Sequence, residues 1–310
     1  MQLASETRAA DALYEDRVNP QWVKLLNVLE MNVRYRQCTG TELIIEDGRR
    51  ILDFLSGYCV HNAGHNHPAI IEAIKNELDR RGPGMMQSHV PELAGELAET
   101  LCSRAGGRVR KAFFASSGSE GVEAAIKFSR AHTRRTGLLY ADGAFHGLTC
   151  GALSLMGDPF WREGFGPMLP ETEGVPFGEL ATLEKKLATR KFAAFIVEPI
   201  QAEGGIRLPA GGYFQEVGEL CRRQGTLLVL DEVQTGMHPT GRFLAGQHYR
   251  ADPDMVVMAK ALSGGLVPTA WNWAGRAPEG GARSAERGSR APRSRDAVED
   301  AGGRSEGRPG

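Results

Sequence analysis

The stretch Leu227–Gly265 reads LLVLDEVQTGMHPTGRFLAGQHYRADPDMVVMAKALSGG. It sets an acidic pair, Asp231-Glu232, at the end of the apolar run Leu227–Leu230. A lysine, Lys260, comes directly after a second apolar run, Met255–Ala259. Two short aliphatic runs, bounded by polar and glycine-rich text, read as neighbouring strands of a parallel sheet. Folds of that kind bind ligands at the carboxyl ends of their strands. From spacing alone, a structural ion pair or a solvated lysine stays open beside a chemical role for the two residues.

A carboxylate and an amine at two such strand ends suit pyridoxal phosphate. A lysine amine forms an imine with its aldehyde, and an aspartate keeps the pyridine nitrogen protonated so that the ring accepts electrons. Other motifs join this reading. Ser116-Ser117-Gly118-Ser119-Glu120 follows an apolar strand and opens a helix. Small residues there allow close backbone approach, and the free amides of a helix N-terminus favour a phosphate. The same text also reads as an ordinary helix start, Ser119 capping ahead of the acidic Glu120 and Glu123. Phe145-His146-Gly147 follows the run Leu138–Ala141, and Glu198-Pro199-Ile200-Gln201-Ala202-Glu203-Gly204-Gly205 follows Ala193–Val197. The phenylalanine is a ring to stack on or a core residue; the carboxylates line a site or face water.

In order and spacing these motifs resemble the class III (ornithine/acetylornithine-type) aminotransferases, which are fold-type I pyridoxal-phosphate enzymes. The resemblance rests on Asp231-Glu232-Val233-Gln234-Thr235-Gly236, Gly241-Arg242, Pro253-Asp254, Ala259-Lys260-Ala261 and Gly264-Gly265. It implies that Lys260 carries the aldimine and acts as general base, and that Asp231 faces the pyridine nitrogen. It further implies phosphate contacts from Ser117, Gly118 and Ser119, and ring stacking by Phe145, with His146 beside it and Val233 on the opposite face. Gln234 would sit near the phenolic oxygen. Tyr58 falls where ornithine-type members place a substrate-contacting tyrosine. Glu203 matches a glutamate that pairs with an arginine of the family's C-terminal domain. Many ornithine- and acetylornithine-type members carry a carboxylate-binding arginine where this chain has Leu148, which weakens transfer of their substrate specificity.

The implied reaction moves an amino group from an amino acid or ω-amine to an oxo acid, 2-oxoglutarate by analogy, in a homodimer. Aminomutase or decarboxylase chemistry on the same scaffold stays open, as does a catalytically dead remnant. For Lys260 to act as a base its pKa must fall from the usual value near 10.4, by way of a positive neighbouring ring and a dry site.

The remaining features bound this reading. A chain of 310 residues can bury one large core or two smaller ones. A net charge of −1 gives no reason to expect nucleic acid or an anionic membrane as partner. The first twenty residues lack a signal-peptide core, and no apolar run reaches membrane-spanning length. Five scattered cysteines without a C-x-x-C pair favour buried thiols in a reducing cytoplasm. The cluster His61-Asn62-Ala63-Gly64-His65-Asn66-His67-Pro68 invites a metal, but lacks neighbouring carboxylate or cysteine companions, so no metal is expected.

Along the chain, Trp22–Met31 is a short amphipathic stretch, and helices are expected over Asn66–Arg81, Pro91–Arg104, Glu120–Arg134, near Leu180–Ala188 and near Phe214–Arg223. Strands are expected at Glu42–Ile45, Ala112–Ala115, Leu138–Ala141, Ala193–Val197, Leu227–Leu230 and Met255–Met258. This alternation is α/β, a mainly parallel sheet flanked by helices. With the resemblance, residues 1–55 are expected to belong to a small domain and 56–269 to an incomplete large pyridoxal-phosphate domain. Residues 270–310 hold no Leu, Ile, Phe or Met. We expect them to be a disordered, aberrant tail, with at most Trp271 and Trp273 touching the domain. The resemblance covers roughly 19–269. Its abrupt end reads as a truncation, of the kind a frameshift gives, with the family's C-terminal small domain missing. On that reading the chain would be poorly soluble, incompletely dimeric and nearly inactive.

Overall fold

The computed structural model describes residues 11–84 and 88–275. By their contacts the described residues form two compact units, one running up to His89 and joined by Lys260–Pro268, the other running from Val90 to Ala259 and resuming at Thr269. The division therefore falls at His89 and around the 260–268 excursion, not at residue 55.

In the first unit, α1 (Pro20–Val28) starts at Asn19, whose side chain accepts from the Trp22 amide at 3.0 Å. Three strands, β1 (Tyr35–Thr39), β2 (Glu42–Ile45) and β3 (Arg50–Leu52), pair antiparallel in that order. Then α2 (Pro68–Asp79) begins with a proline in its first turn, where a missing N–H costs nothing. β1 and β3 were not legible in the sequence. Tyr-Arg-Gln-Cys-Thr and Arg-Ile-Leu are short and largely exposed, so neither shows the alternation of a half-buried strand.

The second unit holds α3 (Glu92–Ala105), β4 (Val109–Ala115), α4 (Gly118–Thr133), β5 (Gly137–Ala141) and β6 (Thr172–Val175). It continues with α5 (Leu180–Ala188), β7 (Phe192–Val197), α6 (Tyr213–Gln224), β8 (Leu227–Asp231), β9 (Met255–Met258) and β10 (Ala270–Gly275). The seven strands lie in the order β4-β10-β9-β8-β7-β5-β6. Neighbours from β9 through to β6 are parallel, while β10 is antiparallel to both β4 and β9. The period of two along the strands sorts their side chains between two cores. Leu139, Phe195, Leu228 and Leu230 pack with Leu183, Leu187, Phe214 and Val217 of α5 and α6. Leu138, Ile196, Val229 and Val257 pack on the other face with Val122, Ala125 and Ile126 of α4. Burial on both faces is why β7 reads Phe-Ala-Ala-Phe-Ile-Val without a polar break.

Disorder from Ala270 onward is overturned for the first six residues of that segment. Ala270–Gly275 is an internal strand, with Trp271 opposite Phe114 on one side and Met258 on the other. Ala270, Trp271 and Asn272 are buried. Composition averaged over the whole segment hid a short Ala-Trp-Asn piece whose Trp271 suits a pleated, buried surface. The remainder of the expected tail lies outside the described residues. The thiol expectation also needs correction: Cys221 is buried, Cys38, Cys59 and Cys102 are half-buried, Cys150 is exposed, and all five are unpaired. No described helix is long and apolar enough to cross a membrane.

Candidate active site

Because β4 and β9 are each antiparallel to β10, β4 runs in the same direction as β9, β8, β7 and β5. The carboxyl ends of these five strands therefore share one edge of the sheet. The expected site residues of the large unit follow those ends: Ser117–Ser119 after β4, Phe145 and His146 after β5, Glu203 after β7, and Asp231, Val233 and Gln234 at and after β8.

Asp231 is 4% exposed and both its oxygens are engaged. Oδ1 accepts from the Val233 amide at 3.0 Å, and Oδ2 lies 2.7 Å from Nδ1 of His146. The imidazole is buried too, and its Nε2 has no hydrogen-bond partner. A buried carboxylate is tolerable only with such partners. They also fix its orientation: the backbone holds one oxygen and a ring from another strand end holds the second.

The Ser117–Ser119 loop caps α4. Ser117, not Ser119, is the N-cap: its Oγ accepts from the Glu120 amide at 3.2 Å, and the Glu120 carboxylate accepts from the amides of Ser116 and Ser117. This capping box leaves the next amides of the first turn, those of Gly118 and Ser119, ahead of any intrahelical acceptor. A Cβ on Gly118 would sit 3.0 Å from both methyls of Val233, so the glycine lets the loop close onto the residue two after Asp231. The ordinary cap and the phosphate reading are thus both compatible with this helix start.

Phe145 is half-buried, its ring edge-on to Trp161 with centroids 5.2 Å apart, and its amide donates to Oε2 of Glu198 at 3.3 Å. Gln234 is half-buried and Glu203 exposed.

Lys260 is bonded to Ala259 just past β9, and with it the chain enters the first unit. Its φ of +47° is uncommon for a residue with a side chain. Within that unit Lys260–Ser263 forms a turn packed against Ser56–Cys59, the short segment that holds Tyr58. Tyr58 is exposed and also left-handed, with φ of +58°. Gly264 and Gly265 follow; a Cβ on Gly265 would collide with the His61 ring. The histidine cluster is used locally. His65 Nε2 lies 2.7 Å from Asp53, His61 stacks on His65, and His67 accepts from the Ala69 amide at the start of α2. Among the described residues no His, Cys, Asp or Glu group of metal-binding size gathers.

The sequence reading passed over Glu232 as a separate group. Its side chain is fully buried, accepting from Thr235 Oγ1 at 2.5 Å and from the amides of Ala245 and Gly246 at 3.0 and 2.7 Å. Burial pushes its pKa up to about 7 against the pull of those donors. Thr235 and the 244–246 turn are thereby fastened to the end of β8. The one sequence signal was a second acid inside the Asp-Glu-Val-Gln text.

This arrangement has close relatives. The family model for class III aminotransferases matches residues 26–289, and the chain belongs to that family. The match extends beyond the expected 269 and takes in β10. Similar proteins include the aminotransferase PigE of Serratia sp., 40% identical over 86% of this chain and 32% of its own length. The putrescine aminotransferase of Pectobacterium atrosepticum is 41% identical over 76% of this chain and 52% of its own. Among solved structures, the ornithine aminotransferase of Toxoplasma gondii superposes with a TM-score of 0.74 at 29% identity, over 78% of this chain and 58% of that one. The chain thus spans about half the length of the relatives it matches, or less.

Proposed function

We propose that this chain works in pyridoxal-phosphate-dependent transfer of an amino group from an amino acid or ω-amine to an oxo acid, 2-oxoglutarate being the expected acceptor. The observation that carries the reading is the buried Asp231–His146 pair at the carboxyl edge, beside an α4 N-terminus whose Gly118 closes onto Val233. The family membership and the pyridoxal phosphate found at the active site of the T. gondii relative support it.

The residues present fit that cofactor. Ser117, Gly118 and Ser119 offer hydroxyls and helix-start amides to a phosphate. Asp231, already oriented by His146 and Val233, offers its carboxylate to the pyridine nitrogen. Phe145 and Val233 offer apolar surfaces to the two ring faces, and Gln234 a polar group to the phenolic oxygen. When bound, the cofactor supplies an electron sink for the pair released at the substrate carbon. Lys260 Nζ supplies the amine that holds the cofactor and the base that moves the proton at the substrate's amine-bearing carbon. Tyr58 and Glu203 are proposed to contact substrate. Leu148, exposed beside this loop, offers no charge to a substrate carboxylate.

The partner proposed is a second copy of the chain, supported by the exposed apolar residues Leu52, Phe54, Leu55 and Tyr58. A cytoplasmic location is supported by the five unpaired cysteines.

The test is borohydride reduction of the chain loaded with pyridoxal phosphate, followed by peptide mapping and by assay of amino transfer from a diamine and from an α-amino acid. We expect pyridoxyl on Lys260 and a loss of turnover of at least about 10³-fold in Lys260→Ala. A label on Lys127 or elsewhere would sink the assignment.

A further inference from the structure

Residues 147–152 follow Phe145 and His146 and are tied to α4 by a set of contacts that neither catalysis nor the helix itself requires. Thr149 Oγ1 donates to Oε1 of Glu123 at 2.7 Å, the Gly151 amide donates to the same oxygen at 2.7 Å, and the Ala152 amide at 3.1 Å. The last two amides belong to the first turn of the short helix Cys150–Leu153, whose own N-cap residue, Thr149, makes no side-chain cap. Glu123 therefore caps that helix from another one. One turn earlier on α4, Ser119 Oγ accepts from the Leu148 amide at 3.3 Å. The fit leaves no slack: a Cβ on Gly147 would collide with the Ser119 side chain, and one on Gly151 with the Glu123 carboxylate.

We propose that Glu123 is a positioning residue, holding the 145–152 segment against α4 so that Phe145 and His146 are set relative to the Ser117–Ser119 loop. This rests on the cofactor reading above. Ser119 and Glu123 are four residues apart and share one face of α4. The helix that offers its N-terminus to the phosphate thus also holds the segment that carries the stacking ring and the partner of Asp231. All three donors converge on one oxygen of Glu123, so the contact asks for an acceptor at Oε1 and not for a negative charge. That separates two substitutions. Glu123→Gln keeps such an oxygen, whereas Glu123→Ala strands two buried-side amides and a hydroxyl.

The experiment compares the 310-residue chain with its Glu123→Ala and Glu123→Gln variants by amide hydrogen exchange without cofactor, and by titration with pyridoxal phosphate read by absorbance and visible circular dichroism. In Glu123→Ala, exchange over 145–152 should speed up while 192–197 and 227–231 stay protected. Pyridoxal-phosphate affinity should fall on the order of tenfold to a hundredfold with a weakened dichroic band. Glu123→Gln should stay within about threefold of the unaltered chain. Wild-type exchange and affinity in Glu123→Ala would overturn the proposal, as would equal losses in both variants. Should Glu123→Ala not fold, Thr149→Val removes one donor; faster exchange in the same segment is expected there, and unchanged exchange overturns the proposal. If the unaltered chain binds no pyridoxal phosphate, the cofactor reading fails, while the exchange comparison still decides the role of Glu123.

Discussion

Asp231 ends a strand that is paired on both sides and packed on both faces, whereas Lys260 opens an excursion built on turns and positive φ angles. Both carboxylate oxygens of Asp231 have a tether, the Val233 amide and the His146 ring, and the neighbouring Glu232 carboxylate fastens Thr235 and the 244–246 turn. Around Lys260 the chain relies on backbone shape. Its own φ is +47°, those of Gly264 and Gly265 are +63° and +81°, and the segment it packs against holds Gly57 and Tyr58 at +59° and +58°. Core packing determines one of the two proposed catalytic groups, and local backbone geometry the other. The first should tolerate change in its surroundings only at a cost in folding. The second should lose chemistry before it loses fold.

The largest effect that would test this contrast is at Asp231 itself. Asp231→Asn keeps the size of the side chain but removes the charge from a site flanked by two donors, the Val233 amide and the His146 ring. Half-transamination with an amine donor should fall on the order of 10²–10³-fold, and single-turnover spectra of the variant loaded with pyridoxal phosphate would measure it. Near-normal turnover would remove Asp231 from its proposed role and with it the first half of the comparison.

A smaller effect is expected at Gly265, which bears on Lys260. Alanine there must accept φ of +81° and a collision with the His61 ring, a strain of about 1–3 kcal/mol. The yield of borohydride-trapped pyridoxyl on Lys260 should drop roughly tenfold or more, the rate equivalent of that strain. Exchange protection of β7 and β8 should not change. If instead protection is lost throughout the sheet, the two regions are one cooperative unit and the contrast between them is false.

What the sequence could show follows the same division. Leu227–Leu230 and Met255–Met258 were legible as strands because burial on both faces leaves an unbroken aliphatic run, and the edge they share was legible with them. The roles proposed for Asp231 and Lys260 came from local text. The partners of Asp231 did not: His146 lies 85 residues away, and only the parallel order of the strands brings it back. The cap was read at Ser119 because that residue stands next to the acids, although Ser117-Gly118-Ser119-Glu120 has the spacing of a capping box with Ser117 as the N-cap. Glu123 read as first-turn charge, since nothing near it in sequence announces the three donors that arrive from residues 149–152. β10 was lost because six structured residues were averaged with a polar remainder.

The remaining predicted effect, a gradual slope with pH, concerns how firmly Asp231 is held, and it is read through Glu232. In the folded chain burial raises the Glu232 carboxyl from 4.5 to about 7. Below pH 4.5 both folded and unfolded chains hold the proton, and the stability difference is at its most favourable for folding. Between 4.5 and about 7 the unfolded chain has released a proton that the folded chain still binds, so stability falls as pH rises; above about 7 the loss is complete. The melting temperature of the unaltered chain should therefore decline between pH 5 and pH 8 relative to that of Glu232→Gln, which cannot ionise. The absolute stability of the variant will be lower at every pH, because an amide N–H₂ would face the donors that now converge on the carboxylate. The slope, not the offset, carries the test. Parallel pH profiles would mean that the carboxylate ionises in the fold as freely as outside it. The fastening of residues 235–246 to the end of β8 would then be loose enough to admit water, and Asp231 would be no better held than Lys260.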